Sequence, residues 1–600
     1  KDGFCLLFAD GLALSVRIRQ TPALSGLEYS LRLKNTGEGL SARISGWQSA
    51  DFLFAPSVQP GEEERPDEGH FFDWQQIPPF SVLTVGGAYS DPSDFALRET
   101  SLDRGMQLSL RAGGGRSSSA NMPYFRAVQG KAGLIAAIGW AGEWKASFEA
   151  RTRRRLRIRL GMERTNFRLL PGEEVCGPSI LLCRETEGDL ERLHNRFRRL
   201  VTGGEGEPLL FCNTCFTRKG EWLNETNEEN QISLIRALAP YGVSAVITDA
   251  GWFEGGWPDG AGNWMQPKKA AYPDGFAPVS AAAGQCGLRY GLWFEPERIM
   301  AGTRLSGEIP QLCLRLRKER RGSPETMLAD FGKAETREFF LAIIGHYVKQ
   351  HGIRAYRQDF NVEPLAFWRD NDEPEREGIR EMRYVAGLYA FWDELRARYP
   401  DLLLDGCASG GRRLDFETLR RFDVHQKSDY WFDPVTDQNA LFALNLFLPA
   451  GKVTAHLDTV DPYAFFSAAA ASLCLGWQAD SPEFDGKNAR KIAAWYRELS
   501  PLLSGDYYPL TPLGSQQNPE LAMEFFRSDL QKGVILFFRR RPFPDAGTPL
   551  RSRGMAALIR AGCTAEAHAI HENKTFSPVN DEWRCPAGLS WEALFYTKKL

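Results

Sequence analysis

The sequence holds no stretch of roughly 18 consecutive apolar residues, so no membrane-spanning helix and no membrane partner are expected. It has no excess of one charge either. Lys and Arg total 73 against 76 Asp and Glu, a formal net charge of −3, and no block of like charge interrupts the mixture. That balance excludes the electrostatic footprint of a nucleic-acid binder and of a polybasic surface patch. The N-terminus, Lys1-Asp2-Gly3-Phe4, lacks the apolar core of a signal peptide. The 11 cysteines are odd in number and scattered, without the density of a secreted disulfide scaffold. They are expected to be mostly reduced thiols, which favours a cytoplasmic location. Cys212-Asn213-Thr214-Cys215 is a CxxC with no second CxxC or paired His to complete a zinc site. It reads as a strand end, and no metal is expected. Internal repeats and low-complexity tracts are lacking too.

What the sequence has is length, aromatics and a change of texture. Its 600 residues suggest roughly three or four domains. Aromatic residues make up 12 %, with 16 Trp, side chains that stack on the apolar faces of sugar rings and also fill large β cores. Residues 1–200 alternate apolar and polar between turn signals, as in 13–19, 29–33 and 153–160, which predicts a large antiparallel sandwich. A helical stretch at 190–200 and a glycine-rich linker at 202–206 close that region. Residues 207–503 alternate short apolar runs with amphipathic helical patterns, among them 228–238, 336–350, 379–398 and 412–421. Eight candidate strand ends (Asn213, Asp249, Trp293, Asp359, Cys407, Asp429, His456 and Gln478) predict a (β/α)₈ barrel. Residues 305–325 read as an inserted, irregular loop. Residues 504–600 return to β texture, and a small C-terminal β-sandwich is expected.

In such a barrel, reactive groups gather where strands end. Here the ends read Thr248-Asp249-Ala250-Gly251-Trp252, Trp293-Phe294-Glu295-Pro296-Glu297, Arg357-Gln358-Asp359-Phe360-Asn361, Cys407-Ala408-Ser409-Gly410-Gly411 and Gln426-Lys427-Ser428-Asp429-Tyr430. Cleaving a glycosidic bond needs one group to attack the anomeric carbon and another to protonate the leaving oxygen. Arg357 precedes Asp359 by the strand period of two, so a cation shares its face and favours the ionised form a nucleophile requires. Asp429, beside Tyr430-Trp431, is placed to keep a proton near neutrality and act as the acid.

These motifs together resemble glycoside hydrolase family 36, the α-galactosidase-like enzymes of the melibiase clan, from about residue 208 to 480. Trp293-Phe294-Glu295-Pro296-Glu297 matches the family's W-F-E-P-E. Arg357-Gln358-Asp359-Phe360-Asn361 is similar to its K-W-D-M-N, whose Asp is the nucleophile. Cys407-Ala408-Ser409-Gly410-Gly411 is similar to C-S-G-G-G, and Ser428-Asp429 to the S-D whose Asp is the acid/base. The resemblance implies a multidomain α/β plus all-β chain. Its expected parts are an N-terminal β-supersandwich, a central catalytic (β/α)₈ TIM barrel and a C-terminal antiparallel β-domain. It further implies no cofactor, and family members often form homo-oligomers. The implied function is a retaining exo-α-glycosidase acting on terminal α-linked galactose-type residues of an oligosaccharide or glycoconjugate. Transglycosylation at the same site and a non-catalytic sugar-binding homologue are the alternatives.

Several positions depart from the family pattern. Ala250 stands where a second Asp binds sugar hydroxyls, Cys215 and Gln426 replace tryptophans, and Arg357 replaces Lys. These changes re-polarise the pocket and resemble a divergent branch like the α-N-acetylgalactosaminidases, so galactose with a 2-amino or 2-acetamido group joins the substrate candidates. Asp249 is expected to bind a sugar hydroxyl. Trp252 and Trp293 either wall the sugar or pack in the core. Glu295 either touches substrate or orients a group that does. Cys407 is expected on the pocket floor, and Gly410 where backbone approaches the sugar. Asn361, Arg413 and Tyr430 complete the expected substrate-binding set. An aromatic loop, His70-Phe71-Phe72-Asp73-Trp74, is a candidate to reach a neighbouring subunit's site.

Overall fold

The computed structural model describes residues 2–56, 77–202, 206–318, 325–514, 519–540, 548–578 and 580–599. The aromatic loop at 70–74 lies outside them. The N-terminal region is antiparallel. A 9-stranded sheet faces a 4-stranded one built from Gln48–Phe54, Gln107–Arg111, Trp144–Thr152 and Arg155–Met162. The alternation that predicted these strands is visible in their burial. Leu156, Ile158 and Leu160 are buried while Arg157 and Arg159 point outward and pair with Asp51 and Glu149. The helix Leu190–Thr202 then packs Leu193, Phe197, Leu200 and Val201 inward.

Eight parallel strands close the central barrel: β1 (Leu210–Asn213), β2 (Ala245–Thr248), β3 (Arg289–Phe294), β4 (Ala355–Gln358), β5 (Leu403–Gly406), β6 (Val424–Gln426), β7 (Val453–Leu457) and β8 (Ser472–Leu475). Such strands are covered on both faces, so they read as short continuous apolar runs. The whole of β2, Ala-Val-Ile-Thr, is buried. Helices Glu228–Leu238 and Ile379–Arg398 lie where the periodicity predicts, and Ala334–His351 brackets the expected 336–350. The expected helix at 412–421 is shorter, Phe416–Arg421. Asp415 caps it by accepting from the Thr418 N–H, and the residues before it belong to the β5 loop. Part of the expected irregular insert is ordered. Cys313–Leu314 forms a 3-stranded sheet with Arg298–Met300 and Thr326–Ala329.

The C-terminal region has a 6-stranded antiparallel sheet and a 2-stranded one, Leu550–Arg551 paired with Glu582–Trp583. Where a sandwich was expected, the amphipathic helix Arg553–Arg560 covers one face with Met555 and Leu558. The other face, through Met523, Phe525 and Leu536, joins the main core.

Two devices hold the catalytic end of the barrel. Asn166–Phe167 of the N-terminal region pairs with Arg376–Glu377 in the loop after β4. Within the barrel, Glu297 accepts from both arms of Arg413 (2.7 and 2.9 Å), from Tyr384 (2.7 Å) and from Gln358 (3.0 Å). This ties the β3, β4 and β5 ends together. The Arg413 guanidinium also lies 4.4 Å from the Phe360 ring centroid, next to Asp359 in the loop after β4. Both partners are buried, so truncating one leaves an uncompensated charge. Arg413→Ala is expected to cost about 3–5 kcal/mol, read as a lowered thermal midpoint of the barrel. A variant as stable as the parent would contradict this role.

Candidate active site

The central group is Arg357, on β4, flanked at the same level by Trp293 on β3 and Asp405 on β5. Strand registry therefore puts a cation beside a carboxylate in the barrel mouth. Arg357 NH1 donates to Asp405 Oδ2 at 2.6 Å, its NH2 donates to Gln426 Oε1, and its Nε lies 3.4 Å from Asp249 Oδ2. All of these side chains are buried. The cation expected to serve Asp359 thus makes its direct contacts with other partners and reaches Asp359 through its field.

Asp359 is dense in donors. Its Oδ1 accepts from the N–H of Phe360 (2.7 Å) and of Ser409 (3.2 Å). Its Oδ2 accepts from Asn361 Nδ2 (2.8 Å) and Trp293 Nε1 (3.3 Å). Burial opposes ionisation, but the charge of Arg357 and hydrogen bonds from Asn361, the Cys407 thiol and the Phe360 N–H outweigh it and hold the carboxyl below its ordinary range.

Asp429 lies three residues beyond β6. Among the described residues it receives one hydrogen bond, from Gln426 Nε2 to its Oδ1 at 2.7 Å. Burial, then the negative charge of Asp359, pushes its pKa up to about 7 against the pull of Arg357 and Arg412. The two carboxylates share one field but have opposite biases, the pattern by which acid and base roles are recognised. Gly410 makes this approach possible. Its φ is +74°, and a Cβ there would meet the Asp429 nitrogen at 2.5 Å. The backbone it admits is therefore that of the β6 loop, where the sugar was expected.

Asp249 accepts from Asn213 Nδ2 at 2.6 Å, and burial raises its pKa. Trp293 touches Asp359. Trp252 does not wall the site. It is fully buried among Phe253, Trp264, Phe276, Phe294 and Tyr347, and its Nε1 donates to the Trp293 carbonyl. Glu295 is fully buried and contacts neighbouring residues of the site. It accepts from the Asn361 N–H at 2.5 Å and from Trp257 at 3.2 Å. Arg413 is committed to Glu297 and is not free for substrate. Asn361, Asp429 and Tyr430 are half-buried, which marks where the cluster meets solvent. The Cys215 thiol shares the field of Asp249, Arg357 and both catalytic candidates.

Sequence reasoning passed over three contributors. Asp405, two residues before the strand end at Cys407, was given no role. Arg116, from the N-terminal region, donates to the Phe360 carbonyl (3.2 Å) and Ser409 Oγ (2.9 Å), bracing the loop that carries Asp359. Asp94, also N-terminal, accepts from Ser428 Oγ, which in turn accepts from the Tyr430 N–H at 2.8 Å. The β6 loop is thereby pinned from outside the barrel.

Comparison with known proteins shows what the chain is similar to. A family model described as Melibiase matches residues 221–472. Alpha-galactosidase AgaA of Geobacillus stearothermophilus is 24 % identical over 68 % of this chain and 58 % of its own length. Probable alpha-galactosidase G of Emericella nidulans is 26 % identical over 80 % of this chain and 70 % of its own. Alpha-galactosidase Mel36A of Lactobacillus acidophilus is 22 % identical over 73 % and 63 %. The chain thus spans somewhat more than half of AgaA. In three dimensions, the crystal structure of the GH36 alpha-galactosidase AgaA with 1-deoxygalactonojirimycin superposes with a TM-score of 0.84, at 19 % identity, over 100 % of this chain and 83 % of that one. The galactosidase domain of the alpha-galactosidase-sucrose kinase AgaSK gives 0.80 at 19 % identity, over 100 % and 82 %. The fold is therefore the same, and the Melibiase match across the barrel, with α-galactosidases as the sequence relatives, supports the resemblance to the α-galactosidase-like proteins of glycoside hydrolase family 36.

Proposed function

We propose that the protein is a retaining exo-α-glycosidase that hydrolyses terminal α-linked galactose-type residues, with Asp359 as nucleophile and Asp429 as acid/base. The observation that carries this reading is the opposite protonation bias of two carboxylates in one buried field. In the first step Asp359 attacks the anomeric carbon, the glycosidic C–O bond breaks, and Asp429 gives its proton to the departing oxygen. In the second, Asp429, now a carboxylate, takes a proton from water as that water displaces Asp359. The residues around Asp359 supply donors that favour its charged form before attack. The sparse donor set at Asp429 favours its neutral form.

The substrate class follows from the relatives. AgaA variants crystallise with stachyose and raffinose, which supports an oligosaccharide ending in α-galactose. Asp249, held by Asn213 and facing Arg357, is the proposed acceptor for a sugar hydroxyl. Ala250 and Cys215 leave that wall without the second carboxylate and the indole of the family pattern. This is the basis for including 2-amino and 2-acetamido galactosides. A panel of 4-nitrophenyl α-glycosides separates the cases. Turnover of a galactose-configured member is expected, and turnover of α-glucoside alone would overturn the substrate reading.

Two further outcomes are expected. kcat/KM should fall as pH rises through about 7, where Asp429 loses its proton, and on the acid side only below the ordinary carboxylate range, where Asp359 gains one. An alkaline limb far above neutrality would contradict the assignment. Asp359→Ala should abolish turnover, with azide giving the β-glycosyl azide. Asp429→Ala should slow poor leaving groups about 10²–10⁴-fold while sparing nitrophenyl glycosides. Equal losses on both substrate types would remove Asp429 from the acid role.

A further inference from the structure

The side-chain amide of Gln426 is the one direct link between the Arg357 cluster and Asp429 among the described residues. Its orientation is fixed by chemistry. Arg357 NH2 can only donate, so Oε1 faces Arg357. The Ser428 carbonyl can only accept, and it takes a hydrogen bond from Nε2 at 3.1 Å. Two independent partners thus exclude the flipped amide. Nε2 therefore donates to Asp429 Oδ1 at 2.7 Å. An oxygen that accepts from a fixed donor is the poorer place for a proton, which leaves Oδ2 as the protonated atom.

From this geometry we propose that Gln426 is a positioning residue for the acid/base. Its amide couples Arg357 to Asp429, fixes the acid proton on Oδ2, and sets the pH at which that proton is lost. The proposal rests on the acid/base reading of Asp429. Other charged or titratable groups also face Asp429. Arg357 and Asp359 come from β4, Asp249 from the end of β2, Arg412 and Cys407 from the β5 loop, and Cys215 from the β1 loop. Arg412 is itself held by the Ala88 carbonyl at 3.0 Å and Ser90 Oγ at 3.4 Å. A Gln426 variant leaves each of these groups in the sequence, and the contacts it alters directly are the amide's own, to Arg357, Asp429 and the Ser428 carbonyl. The amide's hydrogen bond favours the ionised carboxylate. Removing it must raise the pH at which Asp429 releases its proton, and replacing it with a negative charge must raise it further.

The test is the pH profile of kcat/KM on raffinose, whose sugar leaving group needs the acid's proton, for the parent, Gln426→Met, Gln426→Glu and Asp429→Asn. Gln426→Met is expected to move the alkaline limb up by about one pH unit, the size of a lost hydrogen bond to a charged group. Gln426→Glu keeps a partner for Arg357, so it decides the question if the Met variant fails to fold. It is expected to move the limb further in the same direction. An unmoved limb in a folded Gln426→Glu protein would overturn the proposal, because a merely structural amide would lower the rate at every pH alike. Asp429→Asn separates the two claims. A limb that vanishes there but ignores Gln426 removes only the positioning role. A limb that survives Asp429→Asn shows that Asp429 never owned it, and the acid/base reading falls with the proposal.

Discussion

The site depends on one buried guanidinium placed among more carboxylates than it can neutralise. Arg357 forms ion pairs with Asp405 and Asp249, and its field extends to Asp359 and Asp429. Buried charges must be compensated or they titrate. Compensation here is unequal. Asp359 is surrounded by two backbone N–H groups, an amide, an indole and a thiol. Among the described residues, Asp429 accepts from a single amide. The carboxylate with many donors is biased towards its charged form, while burial and the charge of Asp359 bias the other towards its neutral form, which is the basis of the proposed roles.

That supply is not local to the barrel. The Asp359 loop is braced by Arg116 and the β6 loop by Asp94, both from the N-terminal region. The segment carrying Arg116 is itself anchored. Ser117 Oγ donates to Asp415 Oδ2 at 2.8 Å, and Glu143 accepts from the N–H groups of Gly113 and Gly115. Loops that hold two reacting groups in register need such support, because small displacements of reacting atoms are costly in rate. The N-terminal sheets thus contribute to the geometry of the site as well as to the bulk of the molecule.

Much of this was legible in the sequence because it is periodic or adjacent. The two-residue step from Arg357 to Asp359 put both in the barrel mouth, and the ordered strand ends placed Asp249, Asp359, Cys407 and Asp429 around it. Long-range partners leave no such trace. Nothing in Gly114-Gly115-Arg116 points to a loop some 245 residues away, and Asp405 looked like part of a strand until registry set it beside Arg357. Trp252 shows a different limit. An indole next to a catalytic strand end serves equally well as a sugar wall or as core, and here a ring of buried aromatics decided for core. Arg413 follows the same logic, since the glutamate it pairs with lies on another strand end.

If one carboxylate attacks carbon and the other handles the proton, the sugar must leave with the configuration it arrived in. Proton NMR of the first product released from an aryl α-galactoside reads this directly. The α-anomer is expected at the earliest times, with β growing in only by mutarotation. Prompt release of the β-anomer would mean that water, not Asp359, attacks the anomeric carbon, and would contradict the account.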